Sequence, residues 1–89
     1  MGFINLGSNQ IEELPNDIFG NNLELEEIYL TSNRIKYLGT GLMNGLQKLD
    51  YVDLFVNICV NHFYFGASQI ALLKDDIKIN CSKRTAIQN

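Results

Sequence analysis

The sequence predicts an α/β fold of solenoid type, in which about three 24-residue repeats stack through a short parallel sheet and a helix closes the C-terminal end. Apolar residues recur at a 24-residue step, and asparagine recurs at the same step. Near the C-terminus, apolar residues are instead three and four apart, as on one face of a helix. The aligned residues are Ile4, Ile28 and Val52, then Leu6, Leu30 and Leu54, then Asn9, Asn33 and Asn57.

The composition limits the size of the fold and the class of partner. The chain has 89 residues, 46% hydrophobic and 19% charged, which is enough apolar content for one small folded domain. A net charge of −3 and a pI near 4.9 argue against nucleic acid, whose phosphates require a basic surface. The apolar runs fall far short of the roughly 20 residues that span a bilayer, and we expect no membrane insertion. No secretion signal is visible at the N-terminus.

Three segments share one eleven-residue pattern, L-x-x-L-x-L-x-x-N-x-L, in which L stands for an apolar residue. They read MGFINLGSNQI, LEEIYLTSNRI and LDYVDLFVNIC. The apolar positions predict short strands near residues 3–6, 27–30 and 51–54, with alternate side chains pointing inward. One repeat cannot bury that inward face alone, so neighbouring repeats must stack, with their strands about 4.8 Å apart in a parallel sheet.

This pattern resembles the leucine-rich repeat family over residues 1–59, about two thirds of the chain. The resemblance implies a right-handed β-α superhelix. It also implies that Asn9, Asn33 and Asn57 turn the chain after each strand and form a ladder of side-chain hydrogen bonds to the backbone. An interior amide without partners would cost roughly 1–3 kcal/mol, so we assign these asparagines a structural role.

The resemblance further implies where a ligand binds, because leucine-rich repeats use the concave, solvent-facing side of the sheet. The corresponding positions here are Phe3, Asn5, Glu27, Tyr29, Thr31, Tyr51, Asp53 and Phe55. Aromatic rings offer rigid contact area, and the carboxylates beside them favour a cationic partner surface. Exposed strand positions favour aromatic residues in any sheet, so a purely structural explanation stays open.

The C-terminal third predicts a cap over the open end of the repeats. Ser68 suits the N-cap of a helix over residues 69–78, with Ile70, Leu73 and Ile77 on one face. Such a helix covers the apolar cross-section that a solenoid end exposes. The residues expected to cover Leu54 and the last turn are Phe63, Phe65, Ile70 and Leu73.

The chain divides into repeats, a cap and a tail. On the side opposite the main strands, Pro15 and the pair Asn16-Asp17 predict a turn that leads into a short helical piece. The expected regions are repeats at 1–24, 25–48 and 49–59, the last of them partial, then a capping region at 60–82 and a polar tail at 83–89.

The two cysteines, Cys59 and Cys81, allow one intramolecular disulfide, but their number alone does not separate a bridge from two thiols. Their placement resembles the cysteine-bearing C-terminal flanks of extracellular leucine-rich repeat proteins, which implies a bridge that pins the cap. Two buried thiols are the alternative. Asn80 begins an N-glycosylation pattern, Asn-Cys-Ser, and a bridged cysteine in its middle position would hinder modification.

We therefore predict a non-enzymatic module that binds a protein without a cofactor and acts outside the cell, in innate immune recognition or adhesion. A cytoplasmic location is the alternative. A second interpretation is a piece of a larger repeat protein or receptor, since Met1 opens a repeat and leaves an apolar edge through which copies or partners could associate. A third is a small thiol or zinc protein centred on Cys59, His62 and Cys81.

Overall fold

The computed structural model describes residues 2–83, which form short strands, one α-helix and a π-helical segment. The expectations for Met1 and for residues 84–89 of the tail lie outside the described residues. The strands are β1 (Phe3–Asn5), β2 (Glu13–Leu14), β3 (Glu27–Tyr29), β4 (Tyr37–Leu38), β5 (Tyr51–Asp53) and β6 (Phe63–Phe65), and helix α1 (Ala67–Asp76) leads into the π-helical segment (Ile77–Cys81).

Strands β1, β3 and β5 lie side by side in one parallel sheet, in the register that the 24-residue step predicts. Ile4 pairs with Ile28, and Ile28 pairs with Val52. Ile28 and Val52 are fully buried, whereas Ile4, on the edge strand, is half-buried. The alignment follows from packing, because each strand buries its inward side chain against the equivalent residue of its neighbour.

Strand β6 adds a fourth strand that the sequence reasoning missed, and it runs antiparallel to β5. Tyr64 pairs with Val52 and is buried, while Phe63 and Phe65 are exposed on the other side of the sheet. The expectation that Phe63 and Phe65 cover the end of the core was therefore wrong. A strand sends successive side chains to opposite faces, so burying Tyr64 turns both of its neighbours outward.

The return connections of the repeats are turns and two-residue strands. Strands β2 and β4 pair in parallel and bury Leu14 against Leu38. The short helical piece expected after Pro15 is absent, because the N–H groups there bond to the carbonyl three residues earlier and close separate turns, as from Ile18 to Pro15 and from Gly20 to Asp17. Within residues 2–83 the α-helix lies near the C-terminus, so the convex side differs from the helical return that a β-α superhelix implies.

Helix α1 begins two residues earlier than the sequence predicts, and Ser68 is not its N-cap. Gly66 holds that position with φ of +89°, a conformation that glycine adopts without a Cβ penalty. The side chain of Gln69 closes the start of the helix by accepting a hydrogen bond from the N–H of Phe65. Ile70 and Leu73 are buried, as the helical spacing predicts.

The hydrophobic core extends without a break from strands β2 and β4 to the C-terminal cap. A disulfide joins the cap to the segment that follows β5. Leu30 and Leu54 lie in the centre of the core, and Leu73 and Ile77 close the C-terminal end. The Cys59–Cys81 bridge implied by the resemblance is present, with the two Cα atoms 5.2 Å apart. No helix among residues 2–83 has the length and apolar content needed to cross a bilayer.

Candidate binding surface

The exposed side of the four-stranded sheet brings the predicted ligand-facing residues together. Its first row joins Phe3, Glu27 and Tyr51, and its second joins Asn5, Tyr29 and Asp53. Thr31 and Phe55 lie two residues beyond the ends of β3 and β5 in the sequence. We call this surface the open sheet face, and its residues are Phe3, Asn5, Glu27, Tyr29, Thr31, Tyr51, Asp53, Phe55, Phe63 and Phe65.

Aromatic rings form a continuous band across the open sheet face. The ring of Tyr29 lies 6.3 Å from Phe3 and 5.4 Å from Tyr51, measured between centroids. Tyr51 continues the band to Phe63 at 6.0 Å and to Phe65 at 6.3 Å. These separations are typical of rings in contact, so the band is a single packed layer rather than scattered side chains.

Phe63 and Phe65 are the residues of this face that sequence reasoning missed. Antiparallel pairing with β5 sets Phe63 opposite Asp53 and Phe65 opposite Tyr51. Phe63 also contacts Phe55, with ring centroids 5.5 Å apart. The alternation of exposed, buried and exposed residues in Phe63–Phe65 is the period of a strand, and the run of β-favouring aromatics was the available signal.

Each tyrosine of the face is joined to a carboxylate on its own strand. The hydroxyl of Tyr29 donates to Oε1 of Glu27 at 2.6 Å, and the hydroxyl of Tyr51 lies 3.4 Å from Oδ2 of Asp53. Register places Glu27 beside Tyr51 and Tyr29 beside Asp53. The four residues therefore form a square, with carboxylates on one diagonal and tyrosines on the other.

Both tyrosines of the square hold their protons more tightly than a free tyrosine. The hydrogen bond to Glu27, followed by partial burial, raises the pKa of Tyr29 to about 12. Burial, followed by the nearby charge of Asp53, raises the pKa of Tyr51. A phenolate beside a carboxylate would be repelled. The negative charge of the square at neutral pH therefore comes from its carboxylates.

Two side chains of the face also shape the backbone that follows each strand. Asn5 Oδ1 accepts a hydrogen bond from the N–H of Gly7, and Asp53 Oδ1 accepts one from Phe55, each at 3.0 Å. These side-chain turns mimic a backbone turn. Asn5 and Asp53 thus have a local structural task besides the ligand contact that the resemblance implies.

The comparison with protein families gives one match, to the leucine rich repeat family, over residues 4–57. The chain belongs to the leucine-rich repeat family. Neither the curated proteins nor the solved structures yielded a match. Leucine-rich repeat domains generally bind proteins and are typically not enzymes. The exposed face described above is thus a surface of a protein-interaction domain.

The recurrent asparagines link successive leucine-rich repeats through their side-chain amides. Asn33 accepts a hydrogen bond from the N–H of Ile11 at 3.0 Å and donates to the carbonyls of Leu6 and Leu30. Asn57 makes the equivalent bonds one repeat later, to Ile35, Leu30 and Leu54. In both asparagines, the side-chain oxygen and the side-chain nitrogen each form a hydrogen bond with the preceding repeat. This geometry gives Asn33 and Asn57 a structural role.

The first leucine-rich repeat has an open outer side. Ile4, Leu6 and Ile11 are half-buried, although the equivalent Ile28, Leu30 and Ile35 are fully buried one repeat later. Asn9 is exposed and donates only within its own turn, to Leu6 and Gly7. A groove of about 320 Å³ runs beside Phe3, Ile4 and Leu23 at this end. These core positions are therefore less covered than their equivalents in the second repeat.

The thiol or zinc interpretation does not agree with the structure. Cys59 and Cys81 are bonded to each other, so neither sulfur is a thiolate able to bind zinc or act as a nucleophile. His62 is exposed and packs against aromatic rings, 5.8 Å from Phe63 and 5.1 Å from Tyr64 between centroids. His62 is a neighbour of the aromatic band, and the alternative centre of Cys59, His62 and Cys81 has no free thiol.

Proposed function

We propose that this protein is a recognition module that binds a protein partner through the open sheet face. The observation that carries the proposal is the continuous aromatic band, which crosses all four strands of the main sheet. Phe3 and Phe65, at its two ends, are each more than three-fifths exposed, at 62% and 61%. Exposed rings that already touch one another form a large preordered contact area, which lowers the entropic cost of binding.

In this proposal the chain is a short solenoid with its repeats at 1–24, 25–48 and 49–59 and a capping region at 60–82. The parallel register of β1, β3 and β5 supports the stacking of repeats. Contacts of α1 with β6 and the bridge from Cys59 to Cys81 support the cap. The scaffold would hold the face rigid while a partner docks.

The site of action in this proposal is outside the cell, in recognition of the innate immune or adhesion type. The Cys59–Cys81 disulfide supports it, because such bonds persist in oxidising compartments and are rare in the cytosol. Mass spectrometry of protein isolated from its native source under thiol-blocking conditions tests this point. A mass lower by two hydrogens supports the extracellular site, and two blocked thiols favour the cytoplasm.

Partner selection from a displayed protein library tests the binding face. Each clone that binds the native protein is retested against a variant in which Tyr29, Tyr51 and Asp53 are all alanine. A matched control carries alanine at three exposed positions on the convex side, Thr40, Asn44 and Gln47. We expect the first variant to lose the partners and the control to keep them. Partners that bind both variants equally well would show that another surface is used.

The apolar side chains left partly uncovered at the β1 end of the sheet support a second candidate function, association with another copy or another protein. The half-buried Ile4, Leu6 and Ile11 and the exposed Leu23 give this end its apolar character. In sedimentation velocity, a chain that associates through this end sediments above its mass of 10.1 kDa. Leu23→Glu restores the monomer, and Leu72→Glu, on the exposed side of α1, does not. A native chain that stays monomeric at high concentration would exclude self-association.

A further inference from the structure

The open sheet face carries negative charge that no basic side chain of its own surface neutralises. None of its positions is lysine or arginine. Among the described residues, the ion pairs join Lys36 to Glu12, Lys48 to Glu24 and Lys83 to Glu13. Glu27 and Asp53 take part in none of them. The charge of both residues is therefore available to a partner.

Carboxylates and aromatic rings at this spacing attract the same kind of group. A cation is drawn to a carboxylate by its charge and to the face of a ring by the ring's quadrupole. Tyr29 and Tyr51, with ring centroids 5.4 Å apart, occupy the other diagonal of the square and so lie beside both carboxylates. An anionic partner would meet repulsion from both carboxylates, and the only side-chain donors among the four residues, the tyrosine hydroxyls, already face the carboxylates.

A sugar is the other ligand class that aromatic residues and acids often bind, and the geometry disfavours it. Successive units of a sugar chain stack on rings that lie in a common plane. Here the ring planes of Phe3 and Tyr29 are 89° apart, and those of Tyr29 and Tyr51 are 50° apart. The flexible alkyl stem of a lysine or arginine can instead follow tilted rings while its charged head reaches a carboxylate.

The spacing of the two carboxylates selects the conformation of a cationic ligand. Glu27 and Asp53 lie on neighbouring strands and are offset by two positions along them. Two residues along a strand span about 6.6 Å and neighbouring strands are about 4.8 Å apart, so the Cα atoms of these diagonal neighbours are roughly 8 Å apart. In an extended chain, residues i and i+2 are on the same side and about 6.6–6.8 Å apart. The two distances match within the reach of flexible side chains.

We propose, on the basis of the function proposed above, that the square of Glu27, Tyr29, Tyr51 and Asp53 binds an extended basic segment with lysine or arginine at positions i and i+2. One cationic head meets Glu27 and the other meets Asp53. The stems cross the rings of Tyr29 and Tyr51, and the remaining rings of the band contact the flanking residues. The partner class is thus a polypeptide with an exposed, extended and basic stretch.

Three short threonine-rich peptides test this proposal by calorimetry with the native protein. They differ only at their centre, which reads Arg-Thr-Arg, Gln-Thr-Gln or Glu-Thr-Glu. We expect the basic peptide to bind about tenfold more tightly than the neutral one, from two partly exposed charge and ring contacts. Its affinity falls as salt is added, because the carboxylates are only half-buried and salt screens them. The acidic peptide binds least.

Two isosteric variants separate the square from the overall charge of the protein. The pair E27Q and D53N removes two charges and keeps the hydrogen-bond acceptors for Tyr29 and Phe55, and we expect it to abolish the preference for the basic peptide. The pair D17N and D75N removes two exposed charges elsewhere and keeps the preference. Loss of the preference in both pairs would mean that net charge alone attracts the peptide, and would overturn the proposed site.

The peptide and library experiments test the cationic ligand and the binding face separately. A basic peptide that binds no better than the neutral one overturns the cationic ligand. If library-selected partners still require Tyr29 and Tyr51 in that case, the face remains a protein-binding surface with a different ligand chemistry. If those partners require neither tyrosine, the proposed function falls as well.

Discussion

Oδ1 of Asn33 accepts a hydrogen bond from the backbone N–H of Ile11, 3.0 Å away, and so joins two leucine-rich repeats through one side chain. The same amide donates to Leu6 in the earlier repeat and to Leu30 in its own. Only 6% of Asn33 is exposed, so water does not replace these partners easily. The asparagine ladder therefore connects the turns of neighbouring repeats, in addition to the packing of their apolar side chains.

Replacing Asn33 with alanine should lower the free energy of unfolding by about 2 kcal/mol, because the N–H of Ile11 loses its partner and the carbonyls of Leu6 and Leu30 each lose one of two. Asn9→Ala is the matched control, since Asn9 is exposed and bonds only within its own turn. We expect that control to cost less than about 1 kcal/mol. Urea unfolding of both variants measures the difference. Equal losses would show that the links between repeats contribute nothing beyond the local turn.

Val56 occupies a backbone conformation that does not suit its side chain. Its φ is +60°, as at Ser32 one repeat earlier and close to the +59° of Ser8 two repeats earlier, and it is 60% exposed. A β-branched residue pays a penalty there that glycine does not. Val56→Gly should therefore raise the stability by about 1 kcal/mol, after the entropic cost of glycine is subtracted.

Val56→Ala is the control for that experiment. It removes the exposed isopropyl group but keeps a Cβ in the left-handed region, so it should give a smaller gain than glycine. Thermal unfolding followed by circular dichroism compares the three proteins. A lower melting temperature for Val56→Gly than for the native chain would show that the valine is not strained.

Gly39 lies where two return connections approach each other closely. A Cβ at this position would be 2.6 Å from the backbone nitrogen of Asn16 and 2.9 Å from its Cα. The side chain of Asn16 meanwhile accepts a hydrogen bond from Gly41 at 2.9 Å, which holds the two connections together. Gly39→Ala must push them apart, and we expect a loss of about 2 kcal/mol.

Gly20→Ala provides the comparison for this close approach. Its added Cβ would meet only the carbonyl oxygen of Asp17, at 3.5 Å, which is an ordinary contact. Alanine also restricts the unfolded chain, so we expect a change between zero and a gain of about 1 kcal/mol. Urea unfolding measures the stability of both variants. Similar stabilities would contradict the close approach of the two connections at Gly39.

The disulfide should contribute strongly to the stability of so small a domain. It closes a loop with a sequence separation of 22 residues, and chain entropy alone assigns such a bridge about 3 kcal/mol. The double variant with Cys59 and Cys81 replaced by alanine should therefore unfold at a much lower urea concentration. Reductant should destabilise the native protein and leave the double variant unchanged. A native protein indifferent to reductant would contradict this expectation.

The strands of the repeats could be predicted from the sequence because recurrence makes them visible. Ile28 and Val52 repeat a pattern that must be buried in the same way each time, so one alignment places both strands. The structural role of Asn33 and Asn57 could be predicted for the same reason, because asparagine recurs at the same step. Residues unique to the cap had no second copy to compare, and Phe63 and Phe65 were accordingly assigned to the core.

The binding face could be predicted for three strands and not for the fourth. Rows through Tyr29 and Tyr51 follow from the 24-residue step, but β6 is antiparallel and lies outside that step. The start of α1 could not be predicted for a local reason. Gly66 follows β6 directly, and its positive φ turns the chain from the strand into the helix. Ser68 has the residue type of a cap and lies inside the helix.

Tyr64 links the cap to the sheet and should make stability depend on alkaline pH. It is 1% exposed, and its hydroxyl donates to Oδ2 of Asp76 at 2.8 Å. Burial, followed by this hydrogen bond, raises the pKa of Tyr64 above its usual value of 10.0. The unfolded chain therefore loses this phenolic proton first. The contribution of Tyr64 is complete below pH 10 and is lost as the pH rises further.

Tyr64→Phe should reveal that dependence, because phenylalanine does not ionise. At about pH 8 the variant should be about 1 kcal/mol less stable than the native protein, from the lost hydrogen bond. This difference in stability should shrink by about pH 11, because folding keeps the Tyr64 phenol protonated there and so destabilises only the native chain. Tyr29 and Tyr51 are present in both proteins, so their titration cancels in the comparison. Urea unfolding at the two pH values measures this difference, and a constant difference would show that Tyr64 ionises equally in the folded and unfolded states.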